Sequence, residues 1–236
     1  MLELREVKVS YGAVEAVRGV SLIAKPGTTT AILGANGAGK SSLLRTISGV
    51  APLKGGSIFL NNQDVSKIPA EKRARLGLAH AMEGRRLFRQ LTVEENLRLA
   101  WSFGTQKTPQ PAAIEDIYAR FPILKEKSAV QAGYLSGGQQ QMVILSCATI
   151  RDPSFLLLDE PSLGLAPIIV TQIYEFITSY ARRSGATVII AEQMANLALR
   201  VSDRGYVLRR GKFVLEGESR KLLADGVANS LSASYL

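Results

Sequence analysis

The chain has 236 residues, a formal net charge of +9 and 46% hydrophobic residues, which is typical of one large globular domain or two small ones and excludes a disordered chain. Its single cysteine excludes an internal disulfide framework, and its short apolar runs predict neither a signal peptide nor a membrane-spanning helix. The positive charge favours an anionic partner, namely a nucleotide, a nucleic acid or an anionic membrane face; a solvated basic surface is the alternative.

The two ends of the chain contain predicted strands that alternate with helices. The strands are indicated by alternating or continuous apolar residues between Gly, Pro or Asn turns. They are residues 2–9, 14–23, 28–33, 58–60, 155–158 and 187–191. Two helices are predicted in these parts, one near Lys40 after a glycine-rich loop and one that begins at Pro167. This alternation predicts an α/β fold with a mostly parallel sheet.

The middle of the chain has a helical pattern instead. Thr92 and Glu95 form a capping-box sequence before one helix, and further helices are predicted after Pro109 and from Gly137 onward. The predicted organisation is a single domain, residues 1–236, with an α/β core formed by 1–81 and 152–236 and a helical subdomain at 82–151.

Residues 34–41 read GANGAGKS and fit the phosphate-binding pattern G-x-x-x-x-G-K-[ST] in full. Glycines let the backbone curl so that successive N–H groups point at one phosphate, and the following helix adds the positive end of its dipole. Lys40 supplies a positive charge for the β- and γ-phosphates, and the Ser41 hydroxyl can ligate Mg²⁺. The predicted nucleotide-binding residues here are Gly34, Ala35, Asn36, Gly37, Ala38, Gly39, Lys40, Ser41 and Ser42.

Asp159 and Glu160 directly follow the apolar run 155–158. A carboxylate at the C-terminal end of a buried strand lies where α/β sheets bind ligands. We predict that Asp159 serves Mg²⁺ and that Glu160 holds the attacking water; the alternative is that both only cap the turn at Pro161. A second glycine motif, LSGGQ at 135–139, is either an anion-binding helix N-terminus or an ordinary N-cap.

The order of these motifs, with Tyr11 before them, resembles that of ABC-type ATPase subunits over essentially the whole chain. It is most similar to the second ATPase subunit of branched-chain amino acid importers, although relatives that serve urea or short amides share the same blocks. The blocks that carry this narrower match are residues 83–88, 91–97, 159–167 and 203–208. The resemblance implies a P-loop NTPase fold with a RecA-like core, an N-terminal antiparallel β-subdomain and an inserted helical subdomain.

The resemblance also implies specific roles for individual residues. The implied catalytic residues are Glu160, Gln193 and Lys40. The implied Mg²⁺ ligands are Ser41, Asp159 and Glu83. Tyr11 would stack on adenine, unless it is only a core tyrosine at a strand end. The implied contacts to a nucleotide held by a partner subunit are Ser136, Gly137, Gly138 and Gln139. The surface that binds the membrane subunits would include Arg85, Arg86 and Phe88.

By the same resemblance, the protein would bind ATP and Mg²⁺ and hydrolyse ATP to ADP and phosphate. It would pair head to tail with a second ATPase subunit, identical or homologous, and drive two membrane-spanning permease subunits; a solute-binding protein would act with them indirectly. We expect it at the cytoplasmic face of the inner membrane, attached peripherally, with no nucleic-acid partner. The alternatives are a soluble ABC ATPase that acts on nucleic acid or the ribosome, and a regulatory subunit with weak hydrolysis. The sequence does not name the solute.

Several residues depart from the general family pattern. Glu83 stands where most relatives have Gln, Gln193 where most have the switch His, and Cys147 where Arg is usual. Gln193 has the alternative role of capping a helix at 194–201. Cys147 is interpreted as a small buried residue. His80, the only histidine, lies on a predicted strand before the helical insertion and is interpreted as structural.

Overall fold

The computed structural model of the chain describes residues 1–84, 86–103 and 108–226. Its strands are β1 (Leu2–Tyr11), β2 (Val14–Ala24), β3 (Thr29–Leu33), β4 (Gly55–Leu60), β5 (Gln63–Asp64), β6 (Leu78–Ala81), β7 (Phe155–Asp159), β8 (Thr187–Glu192), β9 (Arg204–Arg209) and β10 (Lys212–Glu218). Its helices are α1 (Lys40–Ile47), α2 (Ala70–Arg75), α3 (Val93–Ser102), α4 (Gln110–Arg120), α5 (Pro122–Glu126), α6 (Gly137–Thr149), α7 (Pro167–Ser184), α8 (Ala195–Val201) and α9 (Ser219–Ala224).

The strands form two sheets of different character. The smaller sheet is antiparallel, with the order β2-β1-β4-β5. The larger sheet has the order β10-β9-β3-β8-β7-β6, and all of its neighbouring strands are parallel except β10 beside β9. This arrangement confirms the predicted α/β fold class, a mostly parallel core sheet with an antiparallel N-terminal sheet.

The three central strands of the large sheet are buried on both faces. Every residue of β3, β7 and β8 is buried, which fits their continuous apolar sequences. Alternate residues of β7 enter different cores: Leu157 packs with α1 and the antiparallel sheet, whereas Leu156 and Leu158 pack with α6 and α7. The sheet is therefore fixed from both sides, and its strand ends are held rigidly in register.

Helices α3 to α6 lie between β6 and β7 in the chain. The predicted capping box at the start of α3 is confirmed: Thr92 Oγ1 accepts from the Glu95 amide at 3.2 Å, and a Glu95 oxygen accepts from the Thr92 amide at 2.7 Å. The domain bounds at 82–151 and 152–236 stay predictions, and they include residues 85, 104–107 and 227–236, which lie outside the described ranges.

The sequence patterns missed several peripheral elements. All predicted strands are confirmed, with β6 as the strand that contains His80, although β4 begins three residues before its predicted start. The missed elements are β5, β9, β10, α2, α5 and α9. Most of β10 is exposed, and arginines flank the buried middle of β9, so neither strand has the apolar pattern of the central strands. Of the described helices, none combines the length and apolarity that crossing a membrane requires.

Candidate active site

The glycine-rich loop of residues 34–39 connects β3 to α1, and at Gly34 and Gly39 it has no room for a side chain. A Cβ atom on Gly34 would lie 2.5 Å from the carbonyl oxygen of Leu208, and one on Gly39 would lie 2.4 Å from that of Ala16. Gly39 also has a φ of 110°, which only glycine adopts readily. The loop therefore needs glycine at both positions, because the backbones of β2 and β9 press against it.

The N-terminus of α1 is open to an anion. Gly39 occupies its N-cap position without a side-chain cap, and the first turn contains no acidic residue. The amide groups of that turn therefore carry the positive end of the helix dipole toward the loop. This geometry fits the predicted phosphate-binding role of residues 34–42.

Lys40 is buried beneath the loop, with 4% of its surface exposed. Its Nζ donates to the carbonyl oxygens of Gly34 at 2.8 Å and Ala35 at 3.2 Å, and it forms an ion pair with Glu160 Oε1 at 3.1 Å. The backbone amide of Glu160 donates to the Ala191 carbonyl at 2.9 Å, which fixes the start of the turn after β7. The structure thus brings together two of the three predicted catalytic residues.

Asp159 and Ser41 form the second contact between the same two elements. Ser41 Oγ donates to Asp159 Oδ1 at 2.9 Å, while Asp159 Oδ2 is buried and has no hydrogen-bond partner among the described residues. Burial raises the pKa of Asp159, the Ser41 bond opposes that rise, and the negative charges of Glu83 and Glu160 add to it. This carboxylate is therefore costly in the protein alone, as expected of a group that binds a cation.

The same residues fit a magnesium ion that arrives with a nucleotide. Within the described ranges, no group of three or more His, Cys, Asp or Glu residues could hold a metal by itself. Mg²⁺ in phosphate sites takes one or two protein ligands and completes its shell with phosphate oxygens and water. Ser41 and Asp159 lie together where they would supply those ligands. Glu83 is exposed, its charge contributes to the raised pKa of Asp159, and its role as a third ligand stays a prediction.

Tyr11 lies at the tip of the β1–β2 hairpin, where it pairs with Val14. It is 45% exposed, which excludes the alternative of a core tyrosine. The same hairpin contains Ala16, the residue whose carbonyl oxygen borders Gly39. The base of a nucleotide bound at the phosphate loop would therefore lie near the exposed aromatic ring of Tyr11.

The LSGGQ motif lies apart from the phosphate loop. Ser136 caps α6, since its Oγ accepts from the Gln139 amide at 3.3 Å and the Gln139 side chain accepts from the Ser136 amide at 3.0 Å. A Cβ atom on Gly138 would lie 2.9 Å from Ile169, so this helix end packs on the start of α7. Among the described residues, no hydrogen bond links the motif to residues 34–42. In this subunit the motif therefore forms the N-cap of α6.

Gln193 follows β8 and lines a cleft of about 770 Å³ between α7 and α8, together with Glu160. The N-cap of α8 is Met194, and it makes no side-chain capping bond. The alternative in which Gln193 caps that helix is therefore wrong.

His80 and Cys147 do not titrate near neutral pH. His80 Nδ1 lies 3.0 Å from Ser48 Oγ, and burial, with a smaller effect of the Arg45 and Arg86 charges, lowers its pKa to about 4. Burial raises the pKa of the Cys147 thiol to about 12. Both values favour the structural interpretation of these two residues.

Sequence reasoning missed a group of buried polar residues next to Glu160 and Gln193. Glu192 is 2% exposed and accepts hydrogen bonds from Ser162 and Tyr174. The sequence contains a signal for this group, because the charged residue Glu192 ends a buried strand that is otherwise uncharged. A charged residue in such a place requires buried partners.

Comparisons with known proteins identify the family of the chain. Residues 17–163 match the family described as ABC transporter. The chain is 43% identical over 225 residues to a high-affinity branched-chain amino acid transport ATP-binding protein, BraG, of Pseudomonas aeruginosa, covering 95% of this chain and 96% of the relative. It is 33% identical to a probable branched-chain amino acid transport ATP-binding protein, LivF, of Archaeoglobus fulgidus, covering 94% of both chains.

The fold is also similar to that of a solved dimeric bacterial ABC transporter cassette. The TM-score is 0.85 at 22% identity, over 93% of this chain and 99% of the other.

The cost of burying the Asp159 carboxylate predicts that its removal stabilises the folded protein. We expect Asp159→Asn to stabilise the protein without nucleotide by about 0.5–2 kcal/mol at pH 8, because it removes a buried charge. The folded-state pKa of Asp159 is raised, so the wild-type carboxyl takes up a proton as the pH falls and the difference between the two proteins shrinks. Urea unfolding at a series of pH values measures this difference.

The control for this prediction is Asp203→Asn, because Asp203 is exposed and already accepts a hydrogen bond from the Thr29 amide at 2.8 Å. That variant should gain no stability. A destabilised Asp159→Asn protein at pH 8, or a gain that does not change with pH, would contradict the interpretation.

Proposed function

The chain belongs to the ABC transporter family, and on that premise we propose that it binds and hydrolyses ATP to energise an importer of branched-chain amino acids or a related small solute. The observation that carries the proposal is the pair of contacts between the phosphate loop and the end of β7. Lys40 forms an ion pair with Glu160, and Ser41 donates a hydrogen bond to Asp159. These contacts join the four residues that charge neutralisation and water activation would require.

The Lys40–Glu160 ion pair suggests how nucleotide binding prepares the reaction. The β- and γ-phosphates would compete with Glu160 for the ammonium group of Lys40. Once Lys40 turned to the phosphates, the Glu160 carboxylate would be free to accept a proton from the attacking water. Binding and activation would thus be coupled through one side chain.

Charge on the transferred phosphoryl group would be stabilised by the loop amides, the N-terminus of α1 and Lys40. Mg²⁺, held by Ser41 and Asp159, would neutralise further negative charge on the phosphate oxygens. Gln193 would face the γ-phosphate or the attacking water through an amide, which carries no charge at any pH. Tyr11 would stack on the adenine ring.

We propose that two such subunits pair head to tail, so that residues 136–139 of one complete the nucleotide site of the other. The motif lies at the surface of this subunit, away from its own phosphate loop. Large apolar side chains are exposed near it and near Gln193, which is typical of a surface that becomes covered. They are Tyr134, Leu163, Ile168 and Met194.

We propose that the permease subunits bind a groove of about 360 Å³ between β6, α3 and α6. Phe88 and Phe103 are exposed at this groove, and Arg86 also lines it. Of the residues expected on this surface, Arg85 lies outside the described ranges. Docking there would place the protein peripherally at the cytoplasmic face of the membrane, with a solute-binding protein acting indirectly through the permease.

Purification of the tagged chain from membranes tests the importer assignment. We expect two membrane-spanning proteins to co-purify with it, and we expect Phe88→Asp to remove them, because a charge in an apolar groove opposes docking. Val214→Asp is the matched control, since Val214 is equally exposed but lies on β10. Recovery of nucleic acid or ribosomes in place of membrane proteins would favour the nucleic-acid alternative.

Glu160→Gln tests the hydrolytic role. We expect ATP binding to remain and turnover to fall by about 10²–10⁴-fold, because the amide cannot take a proton from water. The closed dimer should then accumulate with ATP, as seen by size-exclusion chromatography. Glu175→Gln is the control, since Glu175 is an exposed carboxylate that lines the same cleft. Normal hydrolysis by Glu160→Gln, or failure of that variant to bind ATP, would exclude the proposed role.

Gln193→Ala tests the switch position. A contact that matters most in the transition state should lower kcat and leave the ATP dissociation constant nearly unchanged. Thermal stability should also be unchanged, because Gln193 caps no helix. Gln193→His should retain part of the activity. Unchanged turnover in Gln193→Ala would remove this residue from the reaction.

A further inference from the structure

Glu192 ends β8 and holds two neighbouring segments through its carboxylate. Its Oε1 accepts hydrogen bonds from Ser162 Oγ at 2.6 Å, from Tyr174 Oη at 2.8 Å and from the Ser162 amide at 3.1 Å. Its Oε2 accepts from the Gln193 amide at 3.1 Å. The side chain therefore connects the turn after β7, helix α7 and the start of the segment that contains Gln193.

The backbone around Glu192 extends these connections to the phosphate loop. The Glu192 carbonyl accepts from the Gly34 amide at 3.2 Å, and the neighbouring Ala191 carbonyl accepts from the Glu160 amide at 2.9 Å. Residue 192 thus contacts the first glycine of the loop with its main chain and the turn after Glu160 with its side chain.

A buried carboxylate at this position is costly unless all its bonds are made. Among the described residues, no Lys, Arg or His forms an ion pair with Glu192. Burial and the Glu192 charge raise the pKa of Tyr174 above its usual range, so the Tyr174 hydroxyl keeps its proton and donates it to the bond. An apolar residue would complete β8 more simply, which indicates that the carboxylate serves the geometry of the site.

We propose that Glu192 is a positioning residue for ATP hydrolysis, which sets the spacing between Glu160 and Gln193 and links both to the loop at 160–166. Ser162 lies two residues after Glu160, and Gln193 directly follows Glu192. A shift of the loop when two subunits meet would pass through Ser162 to Glu192 and so change that spacing. This inference rests on the proposed function, because it gives Glu192 a part in the same reaction.

Two tyrosines on α7 provide a matched test. Tyr174 and Tyr180 are both buried, but Tyr174 binds Glu192, whereas Tyr180 donates to the Pro153 carbonyl at 3.4 Å, away from the site. We expect Tyr174→Phe to lower kcat about 10-fold with an ATP dissociation constant within about 2-fold of wild type, since small displacements of reacting groups are costly. Tyr180→Phe should keep the wild-type kcat per folded molecule. Equal kcat values in the two variants would overturn the proposal.

Glu192→Gln separates the role of the carboxylate from that of its volume. Its amide oxygen can still accept from Ser162 and Tyr174, but its NH₂ group then faces the Gln193 amide, which is also a donor. We expect kcat to fall by about 10-fold or more, again with little change in ATP affinity. The double variant with Tyr174→Phe should lose less than the product of the two single effects, because both act on one bonded group. Fully multiplicative losses would contradict this coupling.

Hydrogen–deuterium exchange of the full-length protein without nucleotide tests the link independently of hydrolysis. We expect faster exchange at residues 160–166 and 193 in Glu192→Gln and Tyr174→Phe, and unchanged exchange there in Tyr180→Phe. Unchanged exchange in all three variants would overturn the link even if the wild type hydrolyses ATP. Faster exchange in the first two, together with a wild type that lacks ATPase activity when fully assembled, would support the link and refute the proposed function.

Discussion

The burial of one ammonium group constrains the whole site. Lys40 can be buried only if its three N–H groups find oxygen acceptors, and they find two loop carbonyls and Glu160. The carbonyls converge on Nζ only because glycines allow the loop to curl tightly between β2 and β9. In the proposed function, phosphate binding would exchange one set of acceptors for another around a cation that the fold already holds in place.

The parallel sheet determines which residues can meet at this cation. Strands β3, β8 and β7 are neighbours, with Leu33 paired to Glu192 and Asp159 paired to Ala191. The segments that follow these three strands consequently leave the sheet side by side, although β3 is more than 100 residues from the other two strands in the chain. Burial of all three strands on both faces keeps this alignment rigid.

Local signals made the strands and the phosphate loop predictable, since apolar runs, glycines and capping residues act within a few positions of the chain. The partners of those segments were not predictable in the same way. The ion pair between Lys40 and Glu160 depends on strand order, and so do the bonds of Glu192 to Ser162 and Tyr174. A sequence pattern identifies a charged residue at the end of a buried strand, but only the sheet topology determines which residues it contacts.

Three carboxylates lie close together here, and their surroundings divide the chemistry among them. Among the described residues, Asp159 has one buried oxygen without a partner, which suits a cation ligand. Glu160 is paired with a lysine that phosphates would draw away in the proposed mechanism, which suits a group that must then face the attacking water. Glu192 has both oxygens bonded to O–H and N–H donors, which suits a group that holds its neighbours in place. In the proposed mechanism, acid residues of nearly the same intrinsic chemistry would thus acquire ligand, base and positioning roles from their partners alone.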